Sequence, residues 1–325
     1  MNKSLTNPKI VVLDACPADV GDMDWSPFRA LGELTLHERT APDEVAARIA
    51  DAYIVYTNKV KLPAAAFEAA PNLKMVSVLA TGYDVIDLEA ARKAGVVVCN
   101  VPAYSTASTA QTAVALLLEL THHAGSHDAS VKAGDWAGSP SFAFWNFPLV
   151  ELDGKTLVLV GTGSIGTRFG KICEAMGMKV VSAGLPGREA KSDSPFERLP
   201  IDEALPLADV ISIHCPATPE TRGLVGAEFL LKMKPSAFLI NTARGVILDE
   251  NAVAQALKGG KLAGFGGDVL SVEPPPADNP LLSAPNSIVT PHIAWASTES
   301  RTRLLDVSAK NLAAFLGGSP QNVVS

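Results

Sequence analysis

The stretch Leu157-Val158-Leu159-Val160-Gly161-Thr162-Gly163-Ser164-Ile165-Gly166 decides how the rest of the chain is read. Four consecutive apolar residues with no polar alternation read as a strand covered on both faces. A GxGxxG turn follows at once, and Thr167–Met176 then continues at helical spacing. Strand, glycine turn and helix in that order form the fingerprint with which α/β sheets hold a dinucleotide. Gly161 permits the tight turn, Gly163 lets the backbone approach a pyrophosphate, and Gly166 lets the helix pack on the strand. Ser164 and Ile165 complete the turn, and the helix start offers unpaired N–H groups and the positive end of its dipole to the phosphates.

Outward from this stretch the same rhythm repeats. Upstream, strand-like runs at Ile10–Leu13, Tyr53–Tyr56, Met75–Leu79 and Val96–Cys99 alternate with helix-like runs at Asp43–Ile49, Pro63–Ala69 and Leu88–Ala94. Downstream, strands are expected at Lys179–Ala183, Val210–His214, Ala237–Ile240, Gly264–Val269 and Ile288–Val289. Alternation of this kind builds βαβ units and parallel sheets. The expected fold is α/β, with two doubly wound parallel sheets in series. Helix-like runs at Thr109–His122 and Glu299–Leu316 flank the second series, the latter ending at the glycine pair Gly317-Gly318.

Composition narrows the function classes. With 325 residues, two domains are expected; 47% hydrophobic and 19% charged residues describe a globular chain. The net charge of −7 comes with no Lys or Arg run, so nucleic acid is not expected as a partner. No apolar run reaches the roughly 18 residues of a membrane span, and Met1–Lys9 has no apolar core of a signal peptide. Cys16, Cys99, Cys173 and Cys215 are scattered, which argues against disulfides and against a metal site, and points to the cytoplasm.

NAD-binding versions of the glycine fingerprint carry an acid about 20 residues on, to hold the ribose 2′-hydroxyl. Here Lys179–Ala183 ends at Gly184, and no acid follows before Glu189. Without that carboxylate nothing repels a 2′-phosphate, and Arg188, Ser182 or Lys191 could meet one. NADP(H) is therefore favoured as coenzyme, with NAD(H) left open.

Three further segments place polar groups directly after strands: Asn241-Thr242-Ala243-Arg244-Gly245, Asp268 through Glu273-Pro274, and Thr290-Pro291-His292. Carboxyl ends of strands in an open parallel sheet converge on one crevice. Hydride delivery to a keto carbon builds negative charge on its oxygen, which calls for a proton donor. The imidazole of His292 suits that task near neutral pH. Glu273 beside it would favour the imidazolium and fix the ring. Arg244 would bind a carboxylate or polarise the keto oxygen. Taken singly, each residue also fits a bland role as cap, turn acid or satisfied histidine; the three in series fit a 2-keto acid reductase. A serine hydrolase built on His292 is excluded by the lack of a GxSxG elbow.

Between the two sheets, Gly134–Pro148 gathers Trp136, Phe142, Phe144, Trp145 and Phe147 in an irregular segment. Either it is an arm lying on a second subunit, or it packs locally under a long loop.

Seven motifs in order resemble those of the D-isomer-specific 2-hydroxyacid dehydrogenase family, in its glycerate dehydrogenase or hydroxypyruvate reductase branch. They are Ala80-Thr81-Gly82-Tyr83-Asp84, Val101–Thr106, the glycine turn, His214-Cys215-Pro216, Asn241–Gly245, Gly267-Asp268-Val269 with Glu273-Pro274, and Pro291-His292-Ile293. The resemblance implies a flavodoxin-like substrate domain, residues 1–103 and 298–325, with a Rossmann coenzyme domain, residues 104–297, inserted. It implies that Arg244 binds substrate and aids catalysis, and that His292 is the acid–base group paired to Glu273. It places the substrate carboxylate on amides near Ala80, Thr81 and Gly82, with Trp145 also at the substrate. Thr109, Cys215, Pro216, Thr221, Thr242, Ala243 and Ala294 would line the coenzyme site, with Asp268 at the nicotinamide carboxamide. A homodimer acting on a small 2-keto or 2-hydroxy acid follows from the same likeness. Gln111 departs from the Glu of many relatives, and no role is assigned to it. The alternative from another class is a redox-responsive co-repressor that binds nicotinamide with little turnover.

Overall fold

The computed structural model describes residues 7–185 and 194–325. The chain forms two compact units, one from Met1–Ser105 with Ala296–Ser325, the other from Thr106–Trp295.

The first unit begins β1 (Lys9–Val12), α1 (Ser26–Arg29), β2 (Glu33–Leu36), α2 (Val45–Ile49), β3 (Ile54–Thr57), α3 (Ala64–Ala69), β4 (Met75–Val78), α4 (Leu88–Lys93) and β5 (Val97–Cys99). Its strands pair entirely in parallel in the order β2-β1-β3-β4-β5, the flavodoxin-like arrangement. Strands β3 and β4 are buried at every residue, because helices cover both faces of a parallel sheet. At the carboxyl end of β1, the buried Asp14 accepts N–H bonds from Asn58, Lys59 and Val60 at 2.7, 2.6 and 3.1 Å. Burial raises its pKa, and those N–H bonds oppose the rise by favouring the charged form.

The second unit runs α5 (Thr106–His122), α6 (Ala124–Lys132), β6 (Thr156–Val160), α7 (Ser164–Ala175), β7 (Lys179–Ala183), β8 (Glu197–Leu199), α8 (Ile201–Ala204), β9 (Val210–Ile213), α9 (Ala227–Lys232), β10 (Phe238–Asn241), α10 (Glu250–Lys258), β11 (Gly264–Gly267) and β12 (Ser287–Val289). These strands also pair in parallel, in the order β12-β11-β10-β9-β6-β7-β8. Strand order therefore reverses between β6 and β9. In doubly wound sheets the crevice for a ligand opens at that reversal, at the carboxyl ends of the strands. The glycine turn leaves β6 at this point.

The last helix, α11 (Thr298–Leu316), belongs to the first unit. Ser297 caps it through Ser300 N–H, Tyr56 Oη donates to Ser308 O at 3.1 Å, and Arg301 forks onto Asp22 at 2.6 and 2.7 Å. The two parallel α/β sheets are those expected from the alternation of apolar runs.

In the aromatic segment, Phe147 packs locally, its ring stacked on His123 at 4.6 Å and edge-on to His127. Trp136, Phe142 and Trp145 stay 52%, 92% and 67% exposed.

Candidate active site

The glycine turn needs its glycines. Gly161 has φ +107°, and a Cβ there would lie 2.7 Å from Cys215 N; a Cβ at Gly166 would lie 2.2 Å from Gly161 O. The opposite holds at Gly163, which caps α7 in extended backbone with no side-chain cap and has nothing within 4 Å of a built Cβ. Open space in front of uncapped N–H groups is what a pyrophosphate requires. An adjoining cavity of about 760 Å³ is lined by Thr106, Thr162, Gly163, Ser164 and Thr167, with Thr106 and Ser164 hydroxyls 3.3 Å apart. At the end of β10, Thr242 Oγ1 is buried without a hydrogen-bond partner, a further polar group left for a ligand. A dinucleotide fits the residues present.

Beneath the turn, His214 keeps part of its surface, yet its ring is enclosed against Phe169, 5.4 Å between centroids, and 2.8 Å from Ser212 Oγ. Burial of the ring pushes its pKa down from 6.5 to about 3, so it is a neutral support.

Three strand ends to one side of the turn carry Arg244, Glu273 and His292. After β12, His292 adopts a left-handed backbone, φ +55°, which turns its ring back towards Glu273. Its Nδ1 lies 2.6 Å from Glu273 Oε2, and Glu273 Oε1 accepts from Leu270 N–H at 3.0 Å. Nε2 of the imidazole is thereby the nitrogen left to meet a substrate. Such a backbone costs about 1 kcal/mol or more and persists only where neighbours hold it. Asp268, 1% exposed at the end of β11, does so: its carboxylate accepts from Thr290 Oγ1 at 2.6 Å, Ile293 N–H at 2.9 Å and Ala294 N–H at 2.7 Å. Burial raises the Asp268 pKa, while those donors and the His292 charge act against the rise.

Arg244 leaves the end of β10 half-buried, with Nη1 donating to Ala243 O at 2.8 Å. Asn241 ties that loop through Ala243 N–H and Arg244 O, both at 3.0 Å. Gly245 brings it against the next strand end, since a Cβ there would sit 1.9 Å from Leu270 C. The Glu273 loop is fastened from behind by Glu250, at the start of α10. One of its oxygens accepts from Ser271 N–H at 2.6 Å and the other from Asn279 Nδ2 at 2.8 Å. Residues 271–278 are otherwise all exposed. Sequence reading missed Glu250, which looks like an ordinary acid in a helix first turn.

Other expected residues fall as follows. Cys215, Thr221 and Ala294 are buried near the ends of β9 and β12; Thr221 Oγ1 donates to Pro216 O at 2.8 Å, and Pro216 itself is exposed. Thr109 is buried on α5 and Ile165 partly buried in the first turn of α7. In the first unit, Ala80, Thr81 and Gly82 follow β4, with Thr81 Oγ1 donating to Val101 O at 2.8 Å. Trp145 lies in the second unit, in the open aromatic segment. Ser182 is 3% exposed and donates to Glu197 O at 3.2 Å, which commits its hydroxyl to the sheet. Beside Gly184 stands Arg198, which sequence reading did not single out. Arg188 and Lys191 lie outside the described residues. Among the described residues there is no His, Cys, Asp and Glu cluster able to hold a metal ion.

Hydride exchange with a nicotinamide, coupled to proton transfer by a carboxylate-held histidine, is the work of a nicotinamide-dependent dehydrogenase, and the second unit fits that class. Residues 114–294 match the model of the D-isomer specific 2-hydroxyacid dehydrogenase NAD-binding domain. The chain belongs to the D-isomer-specific 2-hydroxyacid dehydrogenase family. It is 47% identical to a hydroxypyruvate reductase of Blautia hydrogenotrophica, over 98% of this chain and 99% of that protein. It is 41% identical to a glycerate dehydrogenase of Methylorubrum extorquens, over 97% and 98% respectively. Among solved structures, an NADPH-dependent glyoxylate/hydroxypyruvate reductase of Sinorhizobium meliloti in complex with NADP and malonate superposes with a TM-score of 0.83 at 30% identity, covering 98% of this chain and 97% of that one.

Proposed function

We propose that this protein reduces a small 2-keto acid, hydroxypyruvate or glyoxylate, to D-glycerate or glycolate, with NADP(H) favoured and NAD(H) accepted. The carrying observation is the 2.6 Å pair of His292 Nδ1 and Glu273 Oε2 on the sheet that bears the glycine turn. When bound, the nicotinamide supplies the hydride. His292 delivers the proton from Nε2 to the developing alkoxide, and Glu273 stabilises the imidazolium until it does. Arg244 donates to the keto oxygen and the carboxylate, a pairing its planar fork suits. The amides of Ala80, Thr81 and Gly82 take the carboxylate, and Trp145 contributes to the substrate site. Thr109, Ser164, Ile165, Cys215, Pro216, Thr221, Thr242, Ala243, Asp268 and Ala294 serve the coenzyme with Gly161, Gly163 and Gly166.

Gly184, in place of an acid, supports the NADP(H) preference. Support for the choice of keto acid comes from what the Blautia and Sinorhizobium relatives are named for. The exposed Trp136, Phe142, Trp145 and Leu149 support a homodimer in which this segment is covered by the second subunit. Free cysteines, and described helices none of which is long and apolar enough to cross a membrane, support a cytoplasmic place.

A panel of 2-keto acids assayed with NADPH and with NADH tests the reading. Steady oxidation of NADPH by hydroxypyruvate or glyoxylate is expected. Coenzyme binding without turnover would instead mark a redox-responsive regulator, and a clear NADH preference would remove the coenzyme assignment.

A further inference from the structure

Strand β7 is followed by Gly184, at the position where an NAD-selective sheet carries its ribose-binding acid. A Cβ built there would lie 3.4 Å from both Nε and Nη2 of Arg198. Arg198 comes from β8, the edge strand. The two strands are locked by Gly184 N–H donating to Leu199 O at 2.8 Å and by the register Ser182 to Arg198 and Ala183 to Leu199. The guanidinium of the half-buried Arg198 therefore lies at contact distance from where a side chain of residue 184 would begin.

The chemistry of the two groups is opposite. A carboxylate accepts hydrogen bonds from ribose hydroxyls and repels phosphate. Guanidinium has only donors, arranged in a planar fork that matches two oxygens of a phosphate. Backbone pairing of β7 to β8 sets the distance, and the lack of a side chain at 184 leaves the guanidinium, rather than a carboxylate, as the charged group at this strand end.

We infer that Arg198 is the specificity-determining residue of the coenzyme site, donating to the 2′-phosphate of NADP(H) beside Gly184. This deepens the NADP(H) reading above and rests on it.

Full-length protein is assayed with one keto acid at saturation, varying NADPH and NADH, and inhibition by 2′,5′-ADP is compared with inhibition by 5′-AMP. Wild type should favour NADPH and bind 2′,5′-ADP the more tightly. Arg198→Gln should lower the NADPH-to-NADH ratio of kcat/KM by about ten- to a hundredfold, as expected for losing charge-assisted bonds to phosphate. Arg198→Lys, which keeps the charge but not the fork, should fall between. Gly184→Asp meets Arg198 at ordinary contact distance. It should pair with the guanidinium and reverse the preference. An unchanged ratio in Arg198→Gln, or an equal loss with both coenzymes, overturns the assignment while leaving the NADP(H) reading intact. A wild type that prefers NADH overturns both, and shows this before any variant is made.

Discussion

One Glu273 oxygen holds His292 Nδ1 at 2.6 Å while the other holds Leu270 N–H at 3.0 Å, so the carboxylate has no freedom to turn away from the imidazole. In Glu273→Gln an amide oxygen can serve only one of these donors, and no negative charge faces the ring. The expected result is a fall in kcat for keto acid reduction of about ten- to a hundredfold, with the dissociation constant of the coenzyme little changed. Pre-steady-state and coenzyme fluorescence titrations separate the two quantities.

His292→Ala removes the proposed proton donor itself. Reduction should slow by about a hundredfold or more, and coenzyme binding should persist. A variant reducing hydroxypyruvate at close to the wild-type rate would remove His292 from its role.

Arg244→Lys keeps a charge at the end of β10 but loses the planar fork. A loss of about ten- to a hundredfold in kcat/KM for the keto acid is expected, from charge-assisted bonds that a single ammonium cannot replace together. Steady-state kinetics at saturating coenzyme would show it; an unchanged kcat/KM would mean that Arg244 does not touch the substrate.

Glu250 is a positioning residue, since it reaches the reaction only through the loop that carries Glu273. Glu250→Ala leaves Ser271 N–H and Asn279 Nδ2 without their acceptor, and kcat should drop about tenfold or more through misplacement of the Glu273–His292 pair. Glu250→Gln, which can still accept one bond, should restore part of the rate. If the two variants instead lose melting temperature equally and keep kcat, Glu250 acts on stability alone.

The half-buried His214, neutral through enclosure of its ring, makes a prediction about acid stability. Its folded pKa, about 3, lies below the ordinary 6.5, so between these values the unfolded chain binds the extra proton. Stability from this group is complete above pH 6.5 and is lost as pH falls toward 3, with a slope of up to ~1.4 kcal/mol per pH unit. His214→Asn should flatten the decline of melting temperature across that window. Equal slopes in variant and wild type would mean that the ring does not titrate on unfolding.

The sheets were legible, and Arg244, Glu273 and His292 stood out as candidates, because both leave strong marks. Strand β6 is a run of buried apolar residues ahead of glycines, and Arg244, Glu273 and His292 interrupt apolar patterns where strands stop. Strand β2 was not legible: as an edge it alternates exposed and half-buried residues over only four positions. Helix α6 has no buried residue, so its sequence carries no apolar periodicity to read. Arg198 and Glu250 act across strands and loops, and their partners are set by register, which local sequence does not contain. Ser182 looked available for a phosphate because nothing in the sequence shows that its hydroxyl turns to the Glu197 carbonyl.

That residue 184 has no side chain bears on how such an enzyme changes over generations. Codons for glycine and aspartate can differ by a single base, and the position follows β7, whereas Arg244, Glu273 and His292 follow β10, β11 and β12. If Gly184→Asp reverses the coenzyme preference, a lineage can trade one reducing currency of the cell for another in a single mutational event, keeping its chemistry while altering which metabolic supply drives it.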